Sequence, residues 1–339
     1  MADSAVRRLN QDPYDEHTVD LIRHLFLPKD GQDPNDRGKM SKVLRIFDNI
    51  IEYYRTETTG PLDQHDIIIY CDDSRYEDRG RRDSLRRKLY YDTCKPDDVT
   101  TGPIPSLLVL INLSHIATNT HVLYKKKTCH DGLMETVALA VTYNAQWESE
   151  EWDEEQREVV YNYEDRPTQI QICPWFIDWI KNKEYKLSND VKRSNIGRYI
   201  IKKVEGNQWF RQIDAFSLLD KVLLHEMTHG RSVWEEQKFI NNEWENFEGT
   251  LDVTVPGTTL VPFLPFFSTP RPAYGWKWAG DLARKGPDTT GLHGWDPKAP
   301  DHNADSIALF GSACKLLDDP DKPRRVLDDG RIAIIPRRQ

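Results

Sequence analysis

Cysteine is scarce in this chain. The five present (Cys71, Cys94, Cys129, Cys173 and Cys314) are odd in number and form no C-x-x-C pair, which excludes a disulfide-stapled scaffold and thiolate zinc knuckles. Two bridges with one free thiol, or five thiols, are both compatible with that count. Long apolar runs are missing too: none approaches the roughly 20 residues needed to span a bilayer. The opening MADSAVRRLNQD carries no hydrophobic segment of the signal-peptide kind, so the expectation is an intracellular protein or one whose leader has been removed. Positive charge is also short. Lys and Arg total 46 against 55 Asp and Glu, a net −9, and a phosphate-binding surface needs the opposite balance. The basic run RGRRDSLRRK, 79–88, is the exception, and it is expected to be a solvated loop and helix start. No repeat or low-complexity segment occurs. A single sequon, Asn112-Leu-Ser114, matters only if the chain is secreted.

What remains, 339 residues at 38% apolar and 30% charged, is a globular composition on the polar side. A single domain is expected, with N-terminal helices over 1–60, a core over 61–318 and a surface tail over 319–339. Residues 17–26 and 39–56 have helical periodicity, the second placing Val43, Ile46, Phe47, Ile50 and Ile51 on one face. HDIIIYCDD (65–73) is a β-branched run closed by two aspartates, which predicts a buried strand. SLLVLINLS (106–114), TVALAVTYN (136–144) and the start of TQIQICPWFIDWI (168–180) are its candidate partners. The acidic WESEEWDEEQRE, 147–158, is expected to be an exposed loop. A helix is predicted from about Asp214 to His229, and another from near Tyr274, after a proline-rich aromatic stretch that forbids helix through Pro272. NADSIALFGSACKLL, 303–317, spaces Ile307, Phe310, Cys314 and Leu317 as a core-facing helical stripe.

Chemistry enters at KVLLHEMTHG, 221–230. On a helix, His225 and His229 lie one turn apart on one face, so their imidazoles can converge on one ion. Glu226, about 100° further round, can hold a water on that ion without ligating it. H-E-x-x-H is the zinc-peptidase arrangement. The apolar LLDKVLL (218–224) carries it into a core, where unpaired imidazoles are costly.

Catalytic zinc takes three protein ligands and keeps one position open. The metzincin continuation requires glycine at 232 and histidine at 235, where this chain has Ser232 and Glu235. A glutamate on a second helix would be Glu248, with Asp252 one turn later, but GTLDVTV favours extended chain. The ordered set LLHEMTH, GTLD (249–252), AYGWKWAGDLA (273–283) and NADSIALF (303–310) resembles the aspzincin family, the fungal deuterolysin and peptidyl-Lys metalloendopeptidase relatives. IIYCDD (68–73) and IQICPWF (170–176) are similar to that family's strand segments, so the resemblance runs from about residue 40 to 312. The family's G-T-x-D-x-x-Y-G is split here: Gly249 to Asp252 match its first half and Tyr274-Gly275 its second. Arg271 stands where the aspartate three before Tyr274 would be, and a guanidinium cannot ligate zinc.

The resemblance implies an α+β, zincin-like fold whose mixed sheet packs on the H-E-x-x-H helix. It implies Zn²⁺ on His225, His229 and Asp252, with Asp281, His293 and Glu248 as alternative third ligands. Glu226 would be the general base and Tyr274 the hydrogen-bond donor to the substrate carbonyl. The implied activity is peptide-bond hydrolysis by a secreted monomer with peptide or protein substrates and no nucleic-acid or membrane partner; a cytoplasmic location is the alternative. Two other functions fit the same residues: a zincin-fold metalloenzyme acting on a small molecule, and a binding protein that has lost catalysis.

Overall fold

The structure, a computed structural model, describes residues 1–54, 61–72, 76–82, 88–92, 139–153, 158–173, 176–177, 211–240, 243–256 and 271–336. In chain order the elements are helices α1 (Ala2–Leu9), α2 (Glu16–Leu25) and α3 (Arg37–Tyr54), then strands β1 (Ile67–Tyr70), β2 (Tyr76–Arg82), β3 (Lys88–Asp92), β4 (Ala140–Asp153) and β5 (Glu158–Ile172). There follow helices α4 (Gln212–Ala215) and α5 (Leu218–Thr228), strands β6 (Glu235–Ile240), β7 (Glu243–Glu248), β8 (Thr254–Val255) and β9 (Arg271–Pro272), helices α6 (Gly275–Lys285) and α7 (Ala304–Leu317), and strands β10 (Arg324–Val326) and β11 (Ile332–Ile334). Seven α-helices and small sheets make the described chain α+β. None of the described helices is long and apolar enough to cross a membrane. The chain divides into two compact units, one of Met1–Glu57 with Trp179–Gln339 and one of Thr58–Asp178.

The first unit is built around α7. Its sequence holds few charges, and all but one of its residues are buried; the exception is Lys315, whose ammonium reaches Asp220 at the surface. Around it pack α1, α2, α5 and α6, and α3 reaches it through Phe47 against Phe310. The α3 stripe read from periodicity is in the core, with Val43, Ile46 and Phe47 fully buried. Gly311 lets these helices approach. A Cβ there would lie 2.8 Å from Leu224 Cδ2 of α5 and 3.2 Å from the Phe47 ring of α3.

The expected single helix from Asp214 to His229 is two pieces. Phe216 is extended and Ser217 takes φ 44°, so α5 starts at Leu218. Asp214 is withdrawn from it. Its carboxylate accepts from the backbone N–H of Arg211 and of Trp276, both at 2.7 Å, and so caps the start of α6. The tail is not a free excursion either. β10 and β11 pair as an antiparallel hairpin, and its turn accepts from Ile213 N through Gly330 O and from Trp276 Nε1 through Asp328 O.

The second unit contains a mixed three-stranded sheet of order β1-β5-β4, with β1 parallel and β4 antiparallel to β5. The 65–73 and 168–173 segments contribute β1 and the end of β5, and residues 140–144 join them; β1 is half-buried to exposed rather than the buried strand expected. The 106–114 segment lies outside the described residues. The acidic stretch is not the expected loop. Residues 147–153 continue β4 and pair with 158–164 of β5. Pro167, which cannot donate to a ladder, sits where the β4–β5 register shifts, between Asn144 and Gln146. The basic 79–88 run also differs from expectation: its ends lie in β2 and β3, an antiparallel pair.

Candidate metal centre

His225 lies in the last turn of α5 and His229 is its C-cap residue. The two Nε2 atoms are 3.2 Å apart, and Asp252 Oδ1 stands 3.2 Å from the first and 3.6 Å from the second. Zinc ligands at 2.0–2.1 Å from the ion are roughly 3.3 Å from one another in a tetrahedron. The three donor atoms therefore already have the spacing that one small divalent ion requires, and two imidazoles with a carboxylate suit zinc. They are the one group of three potential metal ligands among the described residues.

How Asp252 reaches the helix follows from the residues before it. Gly249 has φ 67°, and a Cβ on it would lie 2.0 Å from His229 O, so any side chain would push the strand off the helix end. Gly249 N donates to Trp234 O, and Thr250 N to Thr228 O at 2.8 Å. The Thr250 and Thr228 hydroxyls meet at 2.8 Å. Outside this zipper, Arg231 grips Glu248 with two bonds, Nε–Oε1 at 2.8 Å and Nη2–Oε2 at 3.1 Å, and the Arg231 side chain is only 2% exposed. Glu248 is thus committed to Arg231 and is not gathered with the two histidines. Removing one member of a buried pair strands the other charge. Arg231→Met is expected to cost about 3–5 kcal/mol in denaturant unfolding of the metal-free protein; a change under about 1 kcal/mol would show that the clamp is dispensable.

Asp281 and His293 stand away from the two histidines as well. Asp281 is held by Lys277 and by Arg284 (Arg284 Nη2–Oδ1 2.9 Å), and His293 is exposed and outside the donor group.

The split motif is rejoined by a short ladder. Thr254 pairs with Pro272 and Val255 with Arg271, and Ala273 N donates to Val253 O at 2.7 Å. Residues 253 and 273 are thereby adjacent, so Tyr274 comes beside Asp252. The Tyr274 ring is 5.8 Å from that of His225, edge to face, and its phenol feels the Asp252 carboxylate. Arg271 stacks over Trp278 at 4.4 Å instead of entering the site.

Each imidazole is oriented from behind. His229 Nδ1 donates to Thr250 O at 2.7 Å, and His225 Nδ1 faces Asp305 Oδ1 at 3.4 Å, which leaves both Nε2 atoms for the centre. Asp305, in the first turn of α7, also accepts from Gly275 N at 2.5 Å, so one carboxylate holds a histidine and the backbone next to Tyr274. The sequence gives Asp305 no role by itself; an acidic residue opening an otherwise apolar helix is its only signal. Glu226 is buried, and its charge is felt at His225, His229 and Tyr274.

The three side chains shift one another's protonation. Burial lowers the His225 pKa, but its bonds to Asp252 and Asp305 outweigh that and raise it well above the usual value. Partial desolvation likewise raises the pKa of the exposed Asp252, and the two histidines more than reverse it. Partial desolvation and then the Asp252 charge push the half-exposed Tyr274 phenol well up, so it remains a protonated donor. No model of a known protein family, no curated protein and no solved structure matches this chain.

Proposed function

We propose that the chain is a zinc-dependent metalloendopeptidase of the aspzincin kind, with a zincin-like catalytic fold. The observation that carries this is the spacing of His225 Nε2, His229 Nε2 and Asp252 Oδ1, with Glu226 and Tyr274 at the same place. Zinc held there supplies an acidified water and a Lewis acid for the scissile carbonyl. Glu226 takes a proton as the water adds to the carbonyl carbon, and delivers it to the amine nitrogen as the C–N bond breaks. Tyr274, half exposed and protonated, donates to the carbonyl oxygen as negative charge builds on it. Asp305 keeps His225 in the tautomer that presents Nε2. Asp305→Asn is therefore expected to weaken zinc affinity about 10- to 100-fold in chelator competition, and an unchanged affinity would remove it from the site.

A peptide or protein substrate acted on by a monomer, outside the cytoplasm, is part of the same proposal. The disulfide at Cys173 supports an oxidising compartment. The test is elemental analysis of purified protein before and after chelation, followed by a peptide-cleavage screen on both forms. One zinc per chain with chelator-sensitive cleavage is expected. Zinc with turnover of a small molecule alone would make the chain a different metalloenzyme, and zinc with neither activity a binding protein.

A further inference from the structure

Lys42 is the one lysine in the described chain whose residue has no exposed surface. It sits in the second turn of α3, on the buried face with Val43 and Ile46, where a methionine would fill the same space without a charge. Burying an ammonium costs several kcal/mol unless its partners compensate. Among the described residues no carboxylate lies at ion-pair distance. Its Nζ is 2.7 Å from His302 Nδ1 and 4.7 Å from the centre of the Trp234 ring, while Asp301 and Glu236 act on it only at longer range. Packing alone does not account for this lysine.

His302 does. The imidazole is fully buried and, by burial first and the Lys42 charge second, its pKa is pushed down to about 3, so it is neutral and accepts at Nδ1 from Lys42. Its backbone then carries the ligand strand. Leu251 N donates to His302 O at 2.9 Å, Ala304 N donates to Leu251 O at 3.0 Å, and Val253 N donates to the Asn303 side chain at 3.1 Å. Leu251 and Val253 flank Asp252. From the other side, Asp301 is anchored by Thr290 Oγ1 and the backbone N–H of Thr290 and Gly291.

We propose that Lys42 is a positioning residue for the metal-ligand strand: through its bond to His302 it fixes the 302–304 segment on which Leu251 and Val253 are hung, and so sets where Asp252 meets His225 and His229. This rests on the metal-centre reading, and it separates placement from stability. A lysine kept for stability should be missed when lost. A lysine kept for placement should be replaceable by methionine with the fold unharmed and the site loosened.

The experiment compares full-length wild type with K42M in two ways: zinc affinity by chelator competition, and amide hydrogen exchange of the metal-free protein. The expected result is about tenfold weaker zinc binding together with faster exchange at Leu251 and Val253, while α5 and α7 amides and the Tm are not lowered. The double variant K42M/H302F removes both polar partners and should show the same loss, not twice it; it also stands in if K42M alone folds poorly. Unchanged affinity and exchange in K42M, or loss of protection spread over the whole unit in both variants, would overturn the proposal. If wild type binds no zinc, the metal reading falls and the exchange rates at Leu251 and Val253 alone decide this one.

Discussion

Glu226→Gln is expected to keep the fold and the zinc while hydrolysis falls by about 10²- to 10⁴-fold, the usual contribution of a general base. Glutamine matches glutamate in shape, so a side chain buried at the end of α5 is replaced without a cavity. What is lost is the proton acceptor. The donor atoms of the centre belong to His225, His229 and Asp252, and none belongs to Glu226, which is why metal content should not follow activity down. Tyr274→Phe supplies the comparison. It deletes one donor to the developing oxyanion and leaves Glu226 in place, so a smaller loss, about 10²- to 10³-fold, is expected. Peptide cleavage that survives Glu226→Gln at near wild-type rate, with zinc bound, would exclude the assigned base. Zinc lost from Glu226→Gln would instead make Glu226 a ligand and contradict the donor set of two histidines and Asp252.

The ease with which these residues are named varies with how local their signal is. His225, Glu226 and His229 lie within five positions on one helix, and helical geometry alone brings the two imidazoles together. The helices of the first unit were equally legible, since α2, α3, α6 and α7 follow apolar periodicity and capping residues. Asp252 was legible only through resemblance. Its approach depends on a glycine with φ 67°, a threonine pair and a buried ion pair between Arg231 and Glu248, and no spacing rule contains those. Tyr274 lies 22 positions further on, and a two-pair ladder that periodicity cannot detect brings it back. Asp305 was missed for the same reason: it acts from a third segment. The break at Ser217 was missed because hydrophobic pattern runs through it unchanged, while Asp214 is drawn away to cap α6. In the second unit, charge misled. The glutamates of 147–153 suggested a loop, yet the backbone there pairs with β5, and a ladder is made by main-chain groups whatever the side chains.

Asp252→Ala is expected to reduce zinc from one per chain to a small residue after gel filtration, with the α-helical fold retained. Catalytic zinc sites hold the ion with three protein ligands, and two imidazoles left alone must compete with buffer. Asp252 is exposed, so its loss leaves no cavity in the core. The neighbours confine the effect to this carboxylate. Glu248 is committed to Arg231, and Asp281 to Lys277 and Arg284, so neither can swing in as a substitute without breaking an ion pair. Asp281→Ala, made in parallel, should therefore keep full zinc content and lose only a modest part of α6 stability. His229→Ala should match Asp252→Ala in metal loss, and it also releases the Thr250 carbonyl bond that holds the ligand strand to the helix end. If Asp252→Ala kept stoichiometric zinc while Asp281→Ala lost it, the third ligand would be the wrong carboxylate. The 3.2 and 3.6 Å contacts of Asp252 with the two imidazoles would then be an ordinary surface ion pair.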